Sequence, residues 1–280
     1  MMTSCSPGWI KFVEQFYPDM LPHLSTCKSP QQMLGAVIKH VFAERNSLKP
    51  EQVYSVAVMP CTAKKFEASR PEMAPHGIPD IDAVLTTREL AVLLRMRGID
   101  LAKLEPETAD QPYGERSTAG KLFGATGGVM EAALRTAHFL ITGRELEELR
   151  FQKLRGLKDV KEARVDIDGL DVGVAVVSGL GSARALLDEI KAGRKDIHFI
   201  EVMTCPGGCI AGGGQPYGTD LEKVKARMRA LYKIDRDETI NRSHQNRAVK
   251  RLYDEVLGRP LGDRSHHLLH THYAPREVVK

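Results

Sequence analysis

Cys205 and Cys209 are two thiols four positions apart, with Gly207 and Gly208 between them and Gly212, Gly213 and Gly214 just behind. They make EVMTCPGGCIAGGGQP (201–216) the stretch of this 280-residue chain best equipped for chemistry. Thiolates are soft metal ligands and nucleophiles. Glycine lets a backbone turn with positive φ and come close to a bulky ligand. A metal cluster is such a ligand, and N–H groups in glycine-rich turns can stabilise negative charge on its sulfurs. A phosphate loop is the weaker alternative, because the stretch lacks the Gly-Lys-Ser/Thr ending and the thiols would have no task there.

Three further cysteines, Cys5, Cys27 and Cys61, bring the total to an odd five. The start, MMTSCSPGWI, has no basic region followed by an apolar one, so a cytoplasmic location is expected. Metal binding or thiol chemistry is then a better expectation than a disulfide framework. Cys27, in LSTCKSPQQM, reads as a packing residue, since free cysteine is often simply buried.

The elements that must position these thiols alternate along the chain. Short β-branched runs at 53–60, 81–87, 171–179 and 197–203 read as buried parallel strands. Helical spacing of apolar residues marks 29–45, with Ser29 as N-cap and Pro30 in the first turn, and also TRELAVLLRMR, GGVMEAALRTAHFL and SARALLDEIKAG. The fold class is therefore α/β, with parallel sheet flanked by helices. From about Asp220 onward the chain reads as a mostly helical extension. Cys61 and Cys205 each fall just past the carboxyl end of a strand, where ligands gather in open α/β sheets. Forty Lys and Arg against 36 Asp and Glu leave a net charge of +4, too weak a bias to argue for nucleic acid. No apolar run is long enough to span a bilayer, so no membrane is expected as a partner.

TSCSPGW (3–9), MPCTAKKFE (59–67) and EVMTCPGGCIAGGGQP resemble, in order and separation, the three signature motifs of the [FeFe]-hydrogenase catalytic domain. FGATGGVMEAALRTA (123–137) and HHLLHTHYAPR (266–276) resemble that family too. The likeness covers essentially the whole chain and leans towards the catalytic subunits of bacterial NAD(P)-linked multimeric hydrogenases. It implies two lobes with the cluster site in the cleft between them, a catalytic region over 1–218 and a helical, small-subunit-like region over 219–280. It also implies a [4Fe-4S] cluster joined through one thiolate to a diiron subcluster carrying CO, cyanide and an azadithiolate, the site of reversible H2 oxidation to protons and electrons. Carried over by position, Cys61 and Cys205 are cluster ligands and Cys209 the bridging thiolate. Cys5, Lys64, Ser25 and Glu67 take catalytic roles: Lys64 binds a cyanide, Cys5 passes protons by virtue of a pKa near neutrality, and Ser25 stands further out on the path. Met59, Met203, Pro30, Gln31, Phe123 and Gly124 line the cofactor cavity.

Two departures from the family pattern matter. Many members have cysteine where Ser6 stands, as fourth ligand of the [4Fe-4S] cluster. Either Ser6 ligates through oxygen, or Cys5 is drawn into that role; counting thiolates favours the second, and the different direction of adjacent side chains favours the first. Moreover, only Met1 and Met2 precede TSCSPGW, where the family carries a long segment, so a truncated catalytic domain or a fragment is expected. Five cysteines cannot support accessory four-cysteine clusters. Electrons would have to pass directly to a partner, a ferredoxin or NAD(P)-linked hydrogenase subunits. An iron–sulfur assembly or sensory homologue, and a protein with one structural cluster or none, are the other classes in view.

Overall fold

The computed structural model describes residues 1–108, 110, 116–146 and 153–278. Among the described residues, five strands form two separate sheets. β1 (Val56–Met59) and β2 (Ala83–Thr86) pair in parallel, Val56 opposite Ala83. β3 (Val160–Ile167), β4 (Leu170–Ser178) and β5 (Phe199–Met203) form the other sheet, with β4 parallel to β5 and antiparallel to β3.

The second sheet is the hydrophobic centre of the molecule. Successive β4 side chains point to opposite faces. Ala175 and Val177 pack with Trp9, Phe12 and Val13 of α1 (Pro7–Phe16) and with α8 (Leu180–Lys191), while Val174 and Val176 pack with Met130 and Leu134 of α7 (Gly128–Thr142). A strand covered on both faces can be apolar throughout, hence the unbroken Val-Ala-Val-Val. β3 carries Lys161, Glu162, Arg164 and Asp166 and has no apolar run to announce it; the hairpin into β4 turns at Asp168–Gly169, both with positive φ. The expectation of parallel sheet throughout is corrected at this strand.

The expectation of burial is corrected at β1. Val56 and Val58 remain 50% and 46% exposed, because β1 and β2 form only a two-stranded sheet, backed by α4 (Ala63–Ala68) and α5 (Thr87–Met96).

The helix expected over 29–45 runs as α2 (Pro30–Val37), a π-helical stretch (Ile38–Phe42) and a last turn, α3 (Ala43–Arg45). Ser29 caps it, accepting from Gln32 N–H. The C-terminal extension is helical, with α9 (Leu221–Asp237), α10 (Arg247–Leu252) and α11 (Asp263–Leu269). Arg135, wholly buried, joins this extension to α7. It pairs with Glu131 at 2.5 Å and with Asp235 of α9 at 2.7 Å, while Thr118, capping the short α6 (Ala119–Leu122), donates to Asp235 at 2.6 Å. No helix among the described residues is long and apolar enough to cross a membrane.

Candidate metal centre

Three loops from both sheets meet at one cavity of about 390 Å³. The first is the N-terminal stretch. Met1 to Thr3 run beside β5, with Ile200 N–H donating to Met1 O at 3.0 Å and Thr3 N–H to Ile200 O at 2.9 Å. That pairing delivers Cys5 and Ser6 next to Thr204 and Cys205. The second loop leaves β1 at Pro60–Cys61 and enters α4 with Lys64; the third leaves β5 and carries Cys205 and Cys209.

Two glycines show why the third loop tolerates no side chain at certain positions. A Cβ on Gly208, whose φ is +93°, would stand 2.7 Å from Thr126 N, and one on Gly212 would stand 2.0 Å from Pro60 O. The loop therefore lies against the backbone of both 124–126 and 60–61. Thr126 N–H donates to Gly207 O, Ile210 N–H to Gly124 O and Gly214 N–H to Pro60 O, at 2.9–3.1 Å. Gly213 N–H also donates to the Cys205 sulfur, the contact expected of a glycine-rich cradle around a charged cluster.

Cys5, Ser6, Cys61, Cys205 and Cys209 all line the cavity, as do Lys64, Met59, Met203, Pro30, Gln31, Phe123 and Gly124. Glu67 lies one step behind the wall. Buried Lys64 donates to Glu67 Oε2 and to Cys5 O, each at 2.9 Å, and Glu67 Oε2 also accepts from Ser29 Oγ at 2.7 Å. Ser25 does not line the cavity. Its hydroxyl accepts from Cys27 N–H at 3.2 Å, in the segment feeding α2.

Cys61, Cys205 and Cys209 lie within electrostatic reach of one another, and Cys5 lies within reach of Cys209, Lys64, Glu201 and Glu67. Ser6 sits on the Cys205 side, its hydroxyl 2.7 Å from Thr204 Oγ1 and 3.3 Å from Thr204 N, which donates to it. All five cysteines are free thiols. Burial pushes the Cys5 thiol up to about 12, against a partial opposing pull from Lys64, and pushes Cys209 up to about 11; Cys205 is raised for the same reason. This corrects the expectation that Cys5 titrates near neutrality. In the metal-free chain its proton stays on, because the thiol has left water without a compensating partner.

Glu201, unremarked within the motif, is fully buried on β5. It accepts from Gly127 N–H at 2.6 Å and from Met130 N–H at 2.7 Å, at the start of α7. Buried Lys161 on β3 lies nearby, donates to Thr126 O at 3.2 Å, and is held down to about 8 by burial. A carboxylate in the middle of an apolar strand, HFIEVM, was the available signal.

Among the described residues no three His, Cys, Asp or Glu side chains converge as a single metal ion would require. A cluster makes a different demand, since each ligand binds its own iron. Spread thiols around a cavity with a glycine cradle and an N–H on sulfur fit a cluster of that kind.

Fold and site together define an iron–sulfur protein of the iron-only hydrogenase type, and the chain belongs to the iron hydrogenase family. Residues 1–213 match the C-terminal domain of the iron-only hydrogenase large subunit, and residues 221–276 match the iron hydrogenase small subunit. The chain is 49% identical, over 99% of its length, to the NADP-reducing hydrogenase subunit HndD of Solidesulfovibrio fructosivorans, and covers 47% of that protein. It is also 35% identical over its whole length to the cytosolic iron-sulfur assembly component 3 of Rattus norvegicus, covering 60% of it. A structure of apo [FeFe]-hydrogenase HydA1 from Chlamydomonas reinhardtii, variant C377H, superimposes with a TM-score of 0.87 at 41% identity, covering 99% of this chain and 77% of that one. The chain spans about half the length of HndD and of iron hydrogenase 1 of Clostridium pasteurianum.

Proposed function

We propose that this chain is the catalytic core of a hydrogenase that interconverts H2 with protons and electrons. The observation that supports it is the meeting, at one cavity, of Cys61, Cys205 and Cys209 with Cys5 and with buried Lys64, which Glu67 holds from behind. When bound, a [4Fe-4S]-linked diiron unit with CO, cyanide and azadithiolate ligands would supply the soft metal that splits H2 and the neighbouring electron store.

Cys61 and Cys205 would hold the [4Fe-4S] part, and Cys209 would be the thiolate shared with the diiron part. Ser6, tied to Thr204 on the Cys205 side, stands for the fourth ligand, and Cys5 stays free as the proton-carrying thiol. Lys64 would offer its ammonium to a cyanide, and Glu67, paired with it at 2.9 Å, holds it in place. Met59, Met203, Pro30, Gln31, Phe123 and Gly124 shape the cavity and exclude water from it. A thiol that keeps its proton near neutral pH works as a relay by exchanging it, accepting on one side while releasing on the other. Ser25, outside the cavity, is one candidate for the next position on that route. Electrons leave to a ferredoxin or to NAD(P)-linked hydrogenase subunits in the cytoplasm.

Infrared spectroscopy of the chain after maturation tests this reading, with bands of metal-bound CO and cyanide as the expected result. A protein with an intact [4Fe-4S] signal and no such bands would instead belong with the assembly components.

A further inference from the structure

Helix α9 grips the cysteine loop beside Cys209. Ile210, the next residue, lies in one short turn (Cys209–Ala211) whose neighbouring carbonyls are taken locally. Ala211 N–H donates to Gly208 O at 3.0 Å and Gly212 N–H to Cys209 O at 2.9 Å. Ile210 itself is held from outside the loop. Its N–H donates to Gly124 O at 2.9 Å, its buried side chain packs with Val224 and Met228 of α9, and its carbonyl accepts from Arg227 Nη1 at 2.8 Å. Val224, Arg227 and Met228 stand three and four positions apart, so one face of α9 presents two apolar side chains and a guanidinium to the same turn.

We propose that Arg227 is a positioning residue for Cys209, acting through the Ile210 carbonyl to fix the backbone on which the thiol stands. The same guanidinium lies 3.5 Å from Thr219 Oγ1, and Thr219 donates to Pro216 O at 2.8 Å, so Arg227 braces the loop both beside Cys209 and where the chain leaves it for α9. Arginine suits the task, because its planar fork meets two acceptors at once and a charged donor binds a carbonyl more strongly than a neutral one. The loop needs such a brace: Gly207 and Gly208, immediately before Cys209, both have positive φ, and glycine leaves such conformations as readily as it enters them. Arg227 belongs to the region that matches the small subunit, and the thiol it serves to the region that matches the large subunit. The two regions are thereby coupled at the cysteine proposed to be shared between both parts of the cluster.

This inference rests on reading Cys209 as the shared thiolate, but its test needs no cofactor. The metal-free 280-residue chain is treated with iodoacetamide, and the rate at each cysteine is read by mass spectrometry. Arg227→Met keeps the aliphatic length and removes the guanidinium. Cys209 is expected to alkylate about tenfold faster, equivalent to about 1.4 kcal/mol and close to what a hydrogen bond from a charged donor contributes, while Cys5, Cys61 and Cys205 are unchanged. Loss of a cation alone would disfavour the thiolate and slow the reaction, so an acceleration reports position rather than charge. Arg227→Lys, which keeps the charge and a donor, is expected to restore most of the protection. Arg229→Met, at an exposed position of the same helix, is expected to change nothing. A Cys209 rate that is unchanged or slower in Arg227→Met overturns the proposal. So does a common acceleration of all four cavity thiols, which would mean general loosening. Failure of the hydrogenase reading, detected by missing infrared bands, leaves this outcome untouched.

Discussion

Glu201 offers the most direct test of how the cysteine loop is held. Its two carboxylate oxygens each take one backbone N–H, from Gly127 and Met130, and the side chain is shut away from solvent. Glu201→Gln keeps the shape, but turns one oxygen into an NH2 group facing an N–H donor. One charge-assisted bond is lost and one buried donor is orphaned, a cost of about 2–3 kcal/mol. Glu201→Ala orphans both donors and should cost about twice as much. The damage is directional. Thr126, next to Gly127, is the donor to Gly207 O, and Gly208 lies against Gly124–Thr126, so the loop between Cys205 and Cys209 loses its floor. Burial already lowers the Lys161 pKa to about 8 and Glu201 opposes that effect, so removal of the carboxylate should lower it further. Urea unfolding of the metal-free chain gives the stability change, and iron analysis after reconstitution gives cluster retention. The expectation is a lower midpoint at unchanged slope, with reduced iron. A Glu201→Gln chain as stable as the parent and fully loaded with iron would refute the reasoning.

Three further outcomes follow from the same geometry. Cys209→Ala should abolish the diiron unit yet leave some [4Fe-4S] signal, since only this thiolate is assigned to both parts; persistence of CO and cyanide bands would sink that assignment. Cys5→Ala should leave iron content and infrared bands intact and lower H2 turnover by about a hundredfold, the scale for losing a positioned acid or base; loss of the cluster would make Cys5 a ligand instead. Stability of the metal-free chain should fall as pH rises from about 9 towards 12: over this window unfolded thiols release protons that folded Cys209 and Cys5 retain up to about 11 and 12, so the unfolded state binds fewer protons. The slope is about 1.4 kcal/mol per pH unit for each such thiol, and a Cys5→Ala, Cys209→Ala chain that loses stability over that window just as steeply would contradict the assignment.

What was readable in advance divides along a physical line. Local pattern carried α2, α5, α7, α8, the helical C-terminal extension and four of the strands, but not α1, α4 or α6, because apolar spacing and caps such as Ser29 act within one turn. β3 was missed although Asp168–Gly169 is a two-residue hairpin signal, since its charged residues broke the apolar run. The exposure of Val56 and Val58 was illegible for a different reason. It depends on how many strands join β1, and nothing within VYSVAVMP encodes that number.

Cys5 and Ser6 show the same division inside the site. Sequence alone left them as rivals for one role, with thiolate count and side-chain direction opposed. Their surroundings differ through contacts far along the chain: Ser6 is tied to Thr204, and the Cys5 carbonyl accepts from Lys64. The N-terminal residues that pair with Ile200 make those contacts possible, because a strand neighbour fixes which of two adjacent side chains faces which partner. Motif matching names the residue types at a site, but the neighbours each one meets are decided by β5 and by the N-terminal residues paired with it.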